Sequence, residues 1–462
     1  MARNRTSFIS LSIYPDSVVR SHIDSSAKAG VSKLCWSKLQ KSDFLANGTS
    51  KFALARPRRI NVTFQALSSV LEERLSQYET IQQGIPTPSS NGHMPARRQQ
   101  VRLAVPSKGR MSEDTLNFFN DTGVTIKRTN PRQYVASIDA LEPKMEVWFQ
   151  RASDIVRKVV EGDVDFGVVG YDSLVEELGP DGATASDSSV VVVHDALGFG
   201  GCHLGVAVPV QWTDVNNIAD LRQLAQDRAA GVRQPSQRGG DGDPVPLRVV
   251  TKYHLLTKAF FDKHGITPYR LLYADGALEA NPHMGSADFI VDLVSTGVTL
   301  RENQLKELPD GKLLTSQACL IANRHALMTR PDALSLCHEM LERFEAHLRA
   351  DGQYVMIANI SGADEEEVGR KVLQKQDLGG LAGPTVSRVM MRQEDPTSKW
   401  YSVSIVVPKG RLYHAIRQIR EIGGRGILVK PVTYIFEDEP LRWTQLLENL
   451  GLKHAAEAVA SS

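Results

Sequence analysis

The clearest chemical pattern in this sequence is an aspartate followed by a short hydroxyl-rich turn. Asp292 lies at the end of the apolar run 289–291, and the turn comprises Ser295, Thr296, Gly297, Val298 and Thr299. This order predicts a strand, a tight turn and the start of a helix. Such a turn offers backbone N–H groups and hydroxyl donors to one anion. Since Asp292 would repel phosphate but accept from sugar hydroxyls, the pattern predicts a ribose 5-phosphate site. An ordinary polar turn is the alternative.

Basic side chains follow two other apolar runs. Lys108 and Arg110 come directly after the run 101–105, and Arg151 comes after the run 147–150. Proteins with α/β layers bind ligands beyond the C-terminal ends of such strands. Arginine also binds phosphate through two parallel hydrogen bonds. These residues therefore predict a second, anion-binding edge, and for Lys108 and Arg110 the alternative is ordinary surface charge.

The elements that position these residues alternate between strands and helices. From residue 101 to about residue 322 the alternation predicts α/β layers with a largely parallel sheet. Periodicity alone does not distinguish two lobes from one doubly wound sheet. The C-terminal part has strands at 354–357, 385–391, 402–407 and 426–430, with helices at 363–373 and 412–419. Their order, βαββαβ, is the ferredoxin-like arrangement.

Composition excludes several classes of protein. A chain of 462 residues is long enough for two or three domains, and its net charge of +1 creates no overall field for nucleic acid or an anionic membrane. No apolar run reaches the roughly 18 residues of a membrane-spanning helix. The four cysteines form no metal-binding pattern, so we expect free thiols in a reducing compartment.

The first hundred residues differ from the rest. Residues 1–60 contain 11 serines and 11 lysines or arginines but only three acidic residues. This composition is typical of an organellar transit peptide, and an unstructured basic tail is the alternative. The Gly-, Pro- and Ser-rich stretch 84–92 predicts a linker. We therefore expect residues 1–100 to be a leader and linker.

Six motifs occur in a fixed order along the chain. They are V-P-S-K-G-R at 105–110, V-W-F-Q-R at 147–151, D-F-G-V-V-G at 165–170, G-F-G-G-C-H-L at 198–204, D-G-A-L-E at 275–279 and D-L-V-S-T-G-V-T-L at 292–300. This ordered set resembles that of the ATP phosphoribosyltransferases, which catalyse the first step of histidine biosynthesis. The resemblance runs from about residue 101 to about residue 450. It is to the long form of the enzyme, whose plant members carry a chloroplast leader.

The resemblance implies a fold. It implies a two-lobed core similar to periplasmic binding proteins, followed by a ferredoxin-like, ACT-like regulatory domain. Lobe I would comprise residues 101–196 and 306–348, lobe II residues 197–305, the regulatory domain residues 352–452, and a tail residues 453–462. It also implies a homo-hexamer built from dimers, located in the plastid stroma.

The resemblance also implies a reaction. The family transfers the phosphoribosyl group of phosphoribosyl pyrophosphate (PRPP) to N1 of ATP and releases pyrophosphate. Mg²⁺ would arrive bound to substrate, without dedicated protein ligands. The PRPP site would comprise Asp292, the turn 295–299 and Glu279. The ATP site would comprise Lys108, Arg110, Asp172 and Tyr253. The residues implied to be catalytic are Lys108, Arg151, Glu279 and Asp292.

Three of these assignments leave alternatives open. Glu279 could be a solvated loop carboxylate, and Tyr253 could be a core aromatic rather than a platform for adenine. Histidine would inhibit by binding the C-terminal domain near Thr385 and Gly424. Some family members have acidic contacts after the strand at 354–357, but residues 358–360 here are Ala-Asn-Ile.

Two other functions fit the same motifs. One is a non-catalytic two-lobed binder of a phosphosugar or nucleotide with a sensor domain. The other is a regulatory subunit of a biosynthetic complex. The presence of both the cationic residues and the sugar-phosphate residues favours the transferase, because a sensor has no need of both.

Overall fold

The structure, a computed structural model, describes residues 100–130, 132–182, 185, 187–231, 246–390 and 399–452. The leader predicted for residues 1–100 lies outside the described residues except for Gln100, and the predicted tail 453–462 lies wholly outside them. Within the described part of the chain, no helix combines the length and apolar character needed to cross a membrane.

Six strands form the first sheet, in the spatial order β2-β3-β1-β4-β11-β5. They are β1 (Arg102–Pro106), β2 (Val135–Ile138), β3 (Met145–Gln150), β4 (Phe166–Gly170), β5 (Val190–His194) and β11 (Ala318–Asn323). β1 runs parallel to β3 and β4, whereas β11 is antiparallel to β4 and β5. The helices of this part are α1 (Arg110–Asp121), α2 (Ala152–Val160) and α3 (Tyr171–Gly182). Every residue of β4 is buried, as a central strand covered on both faces requires.

Five strands form the second sheet, in the order β10-β6-β9-β7-β8. They are β6 (Cys202–Pro209), β7 (Leu247–Thr251), β8 (Tyr269–Tyr273), β9 (Phe289–Val294) and β10 (Leu305–Ser316). β7 is parallel to β8 and β9, and β6 is antiparallel to β9 and β10. The helices here are α4 (Ile218–Ala229), α5 (His254–His264), α6 (Ala280–Met284) and α7 (Val298–Glu302).

Each sheet is the centre of one lobe, and the chain passes between the two lobes twice. The chain crosses from β5 to β6 and returns from β10 to β11, and both strands that follow a crossing run antiparallel to their neighbours. The expected two-lobed core is therefore confirmed, and the alternative of a single doubly wound sheet is wrong. The predicted limit between residues 305 and 306 divides β10. Because β10 pairs with β6, residues 306–316 belong with lobe II.

The third sheet belongs to a separate layer with the predicted ferredoxin-like topology. Its elements are β12 (Gln353–Ser361), α10 (Glu365–Leu373), β13 (Thr385–Arg388), β14 (Trp400–Pro408), α11 (Leu412–Glu421) and β15 (Arg425–Pro431). The strand order is β13-β14-β12-β15, and every pairing is antiparallel. β14 alternates buried and half-buried residues, so one face of the sheet packs on the two helices.

The last described helix packs against lobe I rather than within the third-sheet domain. α12 (Leu441–Asn449) packs beside α9 (Pro331–Ala350) and β5, and α8 (Arg324–Thr329) precedes α9. The buried face of α12 joins the core of lobe I through Trp443, Leu446 and Leu447. Placing residues 441–452 in the regulatory domain was wrong. The helix buries its apolar face against the first lobe rather than against the third sheet.

Candidate active site

Parallel pairing brings three loops of lobe II to one edge. β7, β8 and β9 are parallel neighbours, so their C-terminal ends meet there. Lys252 follows β7, and Asp275 and Glu279 follow β8. Asp292 lies within β9, close to the C-terminal end that leads into the hydroxyl-rich turn. Lys252 Nζ is 3.4 Å from Asp275 Oδ1. The edge therefore collects three carboxylates around one lysine.

Asp292 has an altered proton affinity at this edge. Burial raises its pKa to about 6, and the negative charge of Glu279 acts in the same direction. A 2.7 Å hydrogen bond from the Leu293 N–H and the charge of Lys252 oppose this rise. The carboxylate is thus held in a partly dehydrated position close to Glu279. A partly buried acceptor of this kind suits the hydroxyls of a sugar, which replace the lost water.

The turn after β9 has the geometry expected for an anion site. Gly297 has a φ of 68°, the left-handed conformation that glycine adopts at little cost. It immediately precedes α7, whose first N–H groups have no partner within the helix. Ser295, Thr296 and Thr299 are exposed, as is Val298. Three of the five predicted turn residues, Ser295, Thr296 and Gly297, line one opening, and Val298 and Thr299 continue the turn into α7.

A surface pocket of about 490 Å³ lies against this turn. Its lining includes Ser295, Thr296 and Gly297, together with His203 and Glu307 from neighbouring strands. The sequence alone predicted no role for His203 or Glu307. His203 belongs to the G-F-G-G-C-H-L motif, which could have indicated a functional role, whereas Glu307 belongs to no motif. Only the pairing of β6 with β10 brings these two residues together.

The predicted cations meet at the corresponding edge of lobe I. β1 and β3 are parallel neighbours, and the Ser107 N–H donates to the Gln150 carbonyl across 2.8 Å. Lys108 and Arg110 follow β1, and Arg151 follows β3. All three are exposed to solvent. The structure therefore brings the three basic residues to one edge of the sheet, as the sequence predicted.

Asp172 and Tyr253 have a different environment from the one predicted. Tyr253 is only 4% exposed, and its hydroxyl donates to Asp172 Oδ2 across 2.9 Å. Asp172 also accepts from Ser316 at 2.5 Å and from Ser173 at 3.1 Å. Burial and the charge of Asp172 raise the pKa of Tyr253, so the phenol keeps its proton and donates. These contacts do not support the predicted ATP-binding roles of either residue. The tyrosine packs as a core aromatic, which was the alternative.

This buried hydrogen bond joins the two lobes. Asp172 lies in the first turn of α3, just after β4 of lobe I, and Tyr253 immediately precedes α5, just after β7 of lobe II. The charge of Asp292 is among the influences that raise the pKa of Tyr253, so the turn after β9 lies near the link. The C-terminal edges of the two sheets therefore meet at this point. We take the candidate site to be the cleft at this junction, to which lobe I contributes the edge with the basic residues and lobe II the edge with the turn predicted to bind a sugar phosphate.

Cys202 lies at the same junction. Burial and the nearby Asp172 raise the pKa of its thiol. Cys319 and Cys337 are fully buried, and burial raises their pKa values too. A thiol that keeps its proton is a poor nucleophile. These contacts fit a packing role for Cys202, Cys319 and Cys337.

Metal ligands are not concentrated in the described part of the chain. No group of three or more His, Cys, Asp or Glu residues there has an arrangement that would hold a metal ion. The carboxylates beside Lys252 are nevertheless suited to accept hydrogen bonds from water on a substrate-bound cation.

The structure does not bring together the two residues predicted to bind histidine. Thr385 lies on β13 and Gly424 directly before β15, and these strands occupy opposite edges of the third sheet. Three strand spacings separate them, or about 14 Å. Gly424 is buried, and a Cβ added there would lie 2.2 Å from Ile419 Cγ2. The glycine is therefore explained by close packing on α11, and one histidine cannot touch both residues within one chain.

Comparison with known proteins gives matches over most of the chain. The family model for ATP phosphoribosyltransferase matches residues 151–346, and the model for the HisG C-terminal domain matches residues 350–434. ATP phosphoribosyltransferase 2, chloroplastic, of Arabidopsis thaliana is 48% identical over 356 residues, covering 77% of this chain and 82% of the relative.

Two further similarities are notable. ATP phosphoribosyltransferase 1, chloroplastic, of Arabidopsis thaliana is 45% identical over 382 residues, covering 81% of this chain and 88% of the relative. Among solved structures, the ATP phosphoribosyl transferase (HisG:HisZ) complex from Thermotoga maritima has 22% identity and a TM-score of 0.38. That match covers 53% of this chain and 99% of the solved one.

Proposed function

Because this chain belongs to the ATP phosphoribosyltransferase family of pentosyltransferases, which act in the first step of histidine biosynthesis, we propose that it transfers the 5-phosphoribosyl group of PRPP to N1 of ATP. Pyrophosphate is the leaving group. The observation that carries this proposal is the position of Asp292 and the turn 295–299 at the end of β9 in lobe II, together with the basic residues that follow the parallel strands β1 and β3 of lobe I.

Each edge has a distinct task in this reaction. Asp292, with Glu279 nearby, accepts from the ribose hydroxyls, and the turn after β9 binds the 5-phosphate. Lys108, Arg110 and Arg151 neutralise the pyrophosphate and the triphosphate of ATP. No protein nucleophile is needed, since the nitrogen of ATP attacks the sugar carbon directly. The protein accelerates the transfer by aligning two anionic substrates and stabilising the leaving charge.

The substrate brings its own metal ion. The family needs a divalent metal, and we assign it as Mg²⁺ bound to the pyrophosphate of PRPP. When bound there, the ion withdraws charge from the leaving group. Water on the ion would hydrogen-bond to carboxylates such as Asp275 and Glu279.

The third-sheet domain is proposed to bind histidine as a feedback inhibitor. Its ferredoxin-like topology and its match to the HisG C-terminal family model support this proposal. Thr385 and Gly424 lie far apart in one chain and Gly424 is buried, so the two residues do not form one site together. The assembly of dimers into a homo-hexamer is proposed on the family resemblance alone. The chloroplastic names of the two Arabidopsis relatives support a location in the plastid stroma.

The test is direct formation of the product. The full chain is incubated with ATP, PRPP, Mg²⁺ and pyrophosphatase, with and without L-histidine, and phosphoribosyl-ATP is detected by mass spectrometry. Product that decreases with histidine is expected. Product unaffected by histidine would remove the feedback proposal but keep the transferase. A folded protein that binds PRPP without forming product would favour the non-catalytic binder.

The phosphate turn is tested by Thr299→Ala. Loss of one hydroxyl donor to a charged phosphate costs about 1.5–3 kcal/mol, so the PRPP KM should rise by roughly 10- to 150-fold. The ATP KM should stay constant. Thr125→Ala, an exposed threonine near the end of α1, is the matched control. An unchanged PRPP KM in Thr299→Ala would remove Thr299 from the site.

A further inference from the structure

A histidine and a glutamate beside the phosphate turn have no part in the function proposed above. His203 on β6 and Glu307 on β10 are joined by a 2.5 Å hydrogen bond between His203 Nε2 and Glu307 Oε1. Their side chains are 24% and 30% exposed, so a ligand can reach both. They line the same pocket as Ser295, Thr296 and Gly297. A buried structural pair would not open onto the candidate site in this way.

The strand register places His203 at the phosphate end of the site. β6 and β9 are antiparallel, with His203 opposite Val294 and Gly205 opposite Asp292. Residues directly opposite each other in such a ladder project to the same face of the sheet. Asp292 is the residue proposed to bind the sugar hydroxyls, and Val294 directly precedes the turn. His203 therefore lies two residues closer than Gly205 to the turn proposed to hold the 5-phosphate.

A glycine provides the space that the pair occupies. A Cβ built on Gly205 would lie 2.7 Å from Glu307 Oε1 and 3.5 Å from His203 Cδ2. Glu307 thus reaches over Gly205 to hold the imidazole ring. The same glycine leaves open the strand surface opposite Asp292. A larger residue at this position would displace the glutamate from the histidine.

The surrounding charges suit an anion. Arg301 and Lys306 line the same pocket, against the one carboxylate of Glu307. Lys306 donates to Asn216 Oδ1 at 2.8 Å, so it is held at the rim. Since Nε2 of His203 faces Glu307, Nδ1 is the ring nitrogen left to face a ligand. When the ring carries both protons, Nε2–H donates to Glu307 and Nδ1–H donates to a phosphate oxygen.

We propose that His203, oriented by Glu307, binds the 5-phosphate of the phosphoribosyl group. The inference rests on the proposed function, which places that phosphate at the turn. In this arrangement His203 is a binding residue and Glu307 is a positioning residue. The pair would make the site selective for a phosphorylated sugar over the unphosphorylated one.

The test compares His203→Gln, Glu307→Gln and the double variant in the full chain. His203→Gln should raise the PRPP KM about tenfold, with the ATP KM unchanged. The inhibition constant of ribose 5-phosphate should rise by a similar factor, whereas that of pyrophosphate should stay constant. The double variant should lose no more than His203→Gln alone, because both substitutions break one unit. Glu302→Gln, an exposed acid in α7 outside the pocket lining, is the charge-matched control.

Other outcomes would overturn the inference. Normal PRPP kinetics in His203→Gln, or equal changes for both substrates, would assign the pair a structural role. A rise in the inhibition constant for pyrophosphate alone would assign His203 to the leaving group instead. If the wild-type chain formed no product, the proposed function would fail separately. Calorimetric titration with ribose 5-phosphate would then decide the inference, since His203→Gln must weaken that binding.

Discussion

Asp292 occupies a position that is unfavourable for the ionised form of its carboxyl. Its carboxylate is held in a partly buried position near a second negative charge, and its pKa rises from 3.8 to about 6 as a result. Ionisation of this carboxyl is therefore less favourable in the folded protein than in the unfolded chain. Hydrogen bonds from the hydroxyls of the proposed sugar would stabilise the ionised form. The residue is therefore better suited to the bound state than to the free one.

The unfavourable ionisation of Asp292 predicts that Asp292→Asn increases the free energy of unfolding, by an amount that depends on pH. Between pH 3.8 and about 6 the folded protein binds the proton more tightly than the unfolded chain, so the free energy of unfolding falls as pH rises through this window. At pH 7 the variant should be more stable than wild type by about 1–3 kcal/mol. The gain should fade as pH is lowered toward 4. Urea unfolding at several pH values measures it, together with a raised PRPP KM.

Asp275→Asn is the control for this prediction, because Asp275 lies at the same edge but is exposed. A stability difference between Asp292→Asn and wild type that stayed constant with pH would contradict the argument. An Asp292→Asn protein that failed to fold would show that the acid is structural.

At the scale of elements, the sequence predicted more of lobe II than of the connections between lobes. The apolar run before Asp292 and the glycine at 297 are local signals, and the turn forms where they indicate. β10 was divided by the predicted lobe limit between residues 305 and 306, and its residues 309–311, Pro-Asp-Gly, carry no strand signal. In the structure they fall within one long strand that has register shifts. Partners that are far apart in sequence, such as His203 and Glu307, leave no local pattern to find.

The link between α3 and α5 predicts an effect of Tyr253→Phe. The substitution keeps the aromatic ring but removes the hydroxyl that reaches Asp172 at 2.9 Å. Because Asp172 then loses one of its donors in a buried place, stability should fall by about 1–3 kcal/mol. The ATP KM should change little. Denaturant unfolding and ATP kinetics check this, with the exposed Tyr413→Phe as control.

The opposite result would restore the stacking interpretation. If Tyr253→Phe matched wild type in stability while Tyr253→Ala alone raised the ATP KM, the ring would be an adenine platform. The hydrogen bond to Asp172 would then contribute little.

The close packing of α11 against β15 predicts that Gly424→Ala is destabilising. Its new Cβ would lie 2.2 Å from Ile419 Cγ2 and 2.7 Å from the Ile419 carbonyl oxygen, so the helix must shift. Overpacking of this kind costs about 1–3 kcal/mol. Gly410→Ala is the control, since no atom lies within 4 Å of its Cβ. Loss of histidine inhibition with unchanged thermal stability would instead return Gly424 to the histidine site.

At the scale of the whole molecule, the C-terminal domain is attached to lobe I at both ends. α9 leads into β12, and the chain returns after β15 through residues 432–440 to α12. Along this return the Tyr434 hydroxyl donates to the Asp121 carbonyl at the end of α1, across 2.7 Å. α1 begins at Arg110, beside the basic edge of the cleft. The domain proposed to bind histidine is thus in contact with a helix that starts at the candidate site.

The predicted domain limits missed this attachment for a physical reason. Residues 441–449 form a helix with one apolar face, but an amphipathic pattern does not specify which core that face covers. The C-terminal family model ends at residue 434, before the helix begins. Only the packed structure shows Trp443 against the His338 ring, with centroids 4.7 Å apart. Helix formation is local information, whereas the choice of partner depends on the whole fold.

Trp443→Ala should therefore weaken lobe I rather than the domain that precedes it in sequence. The indole is 3% exposed, and truncating a buried tryptophan costs about 3–5 kcal/mol. We expect a lower urea midpoint together with faster hydrogen exchange in α9 and β5, which contact α12. Leu441→Ala on the same helix is the control, because Leu441 is 67% exposed. If hydrogen exchange increased only in the third sheet, α12 would stabilise the C-terminal domain rather than lobe I. The packing of α12 on lobe I would then not link the stability of lobe I to that of the C-terminal domain.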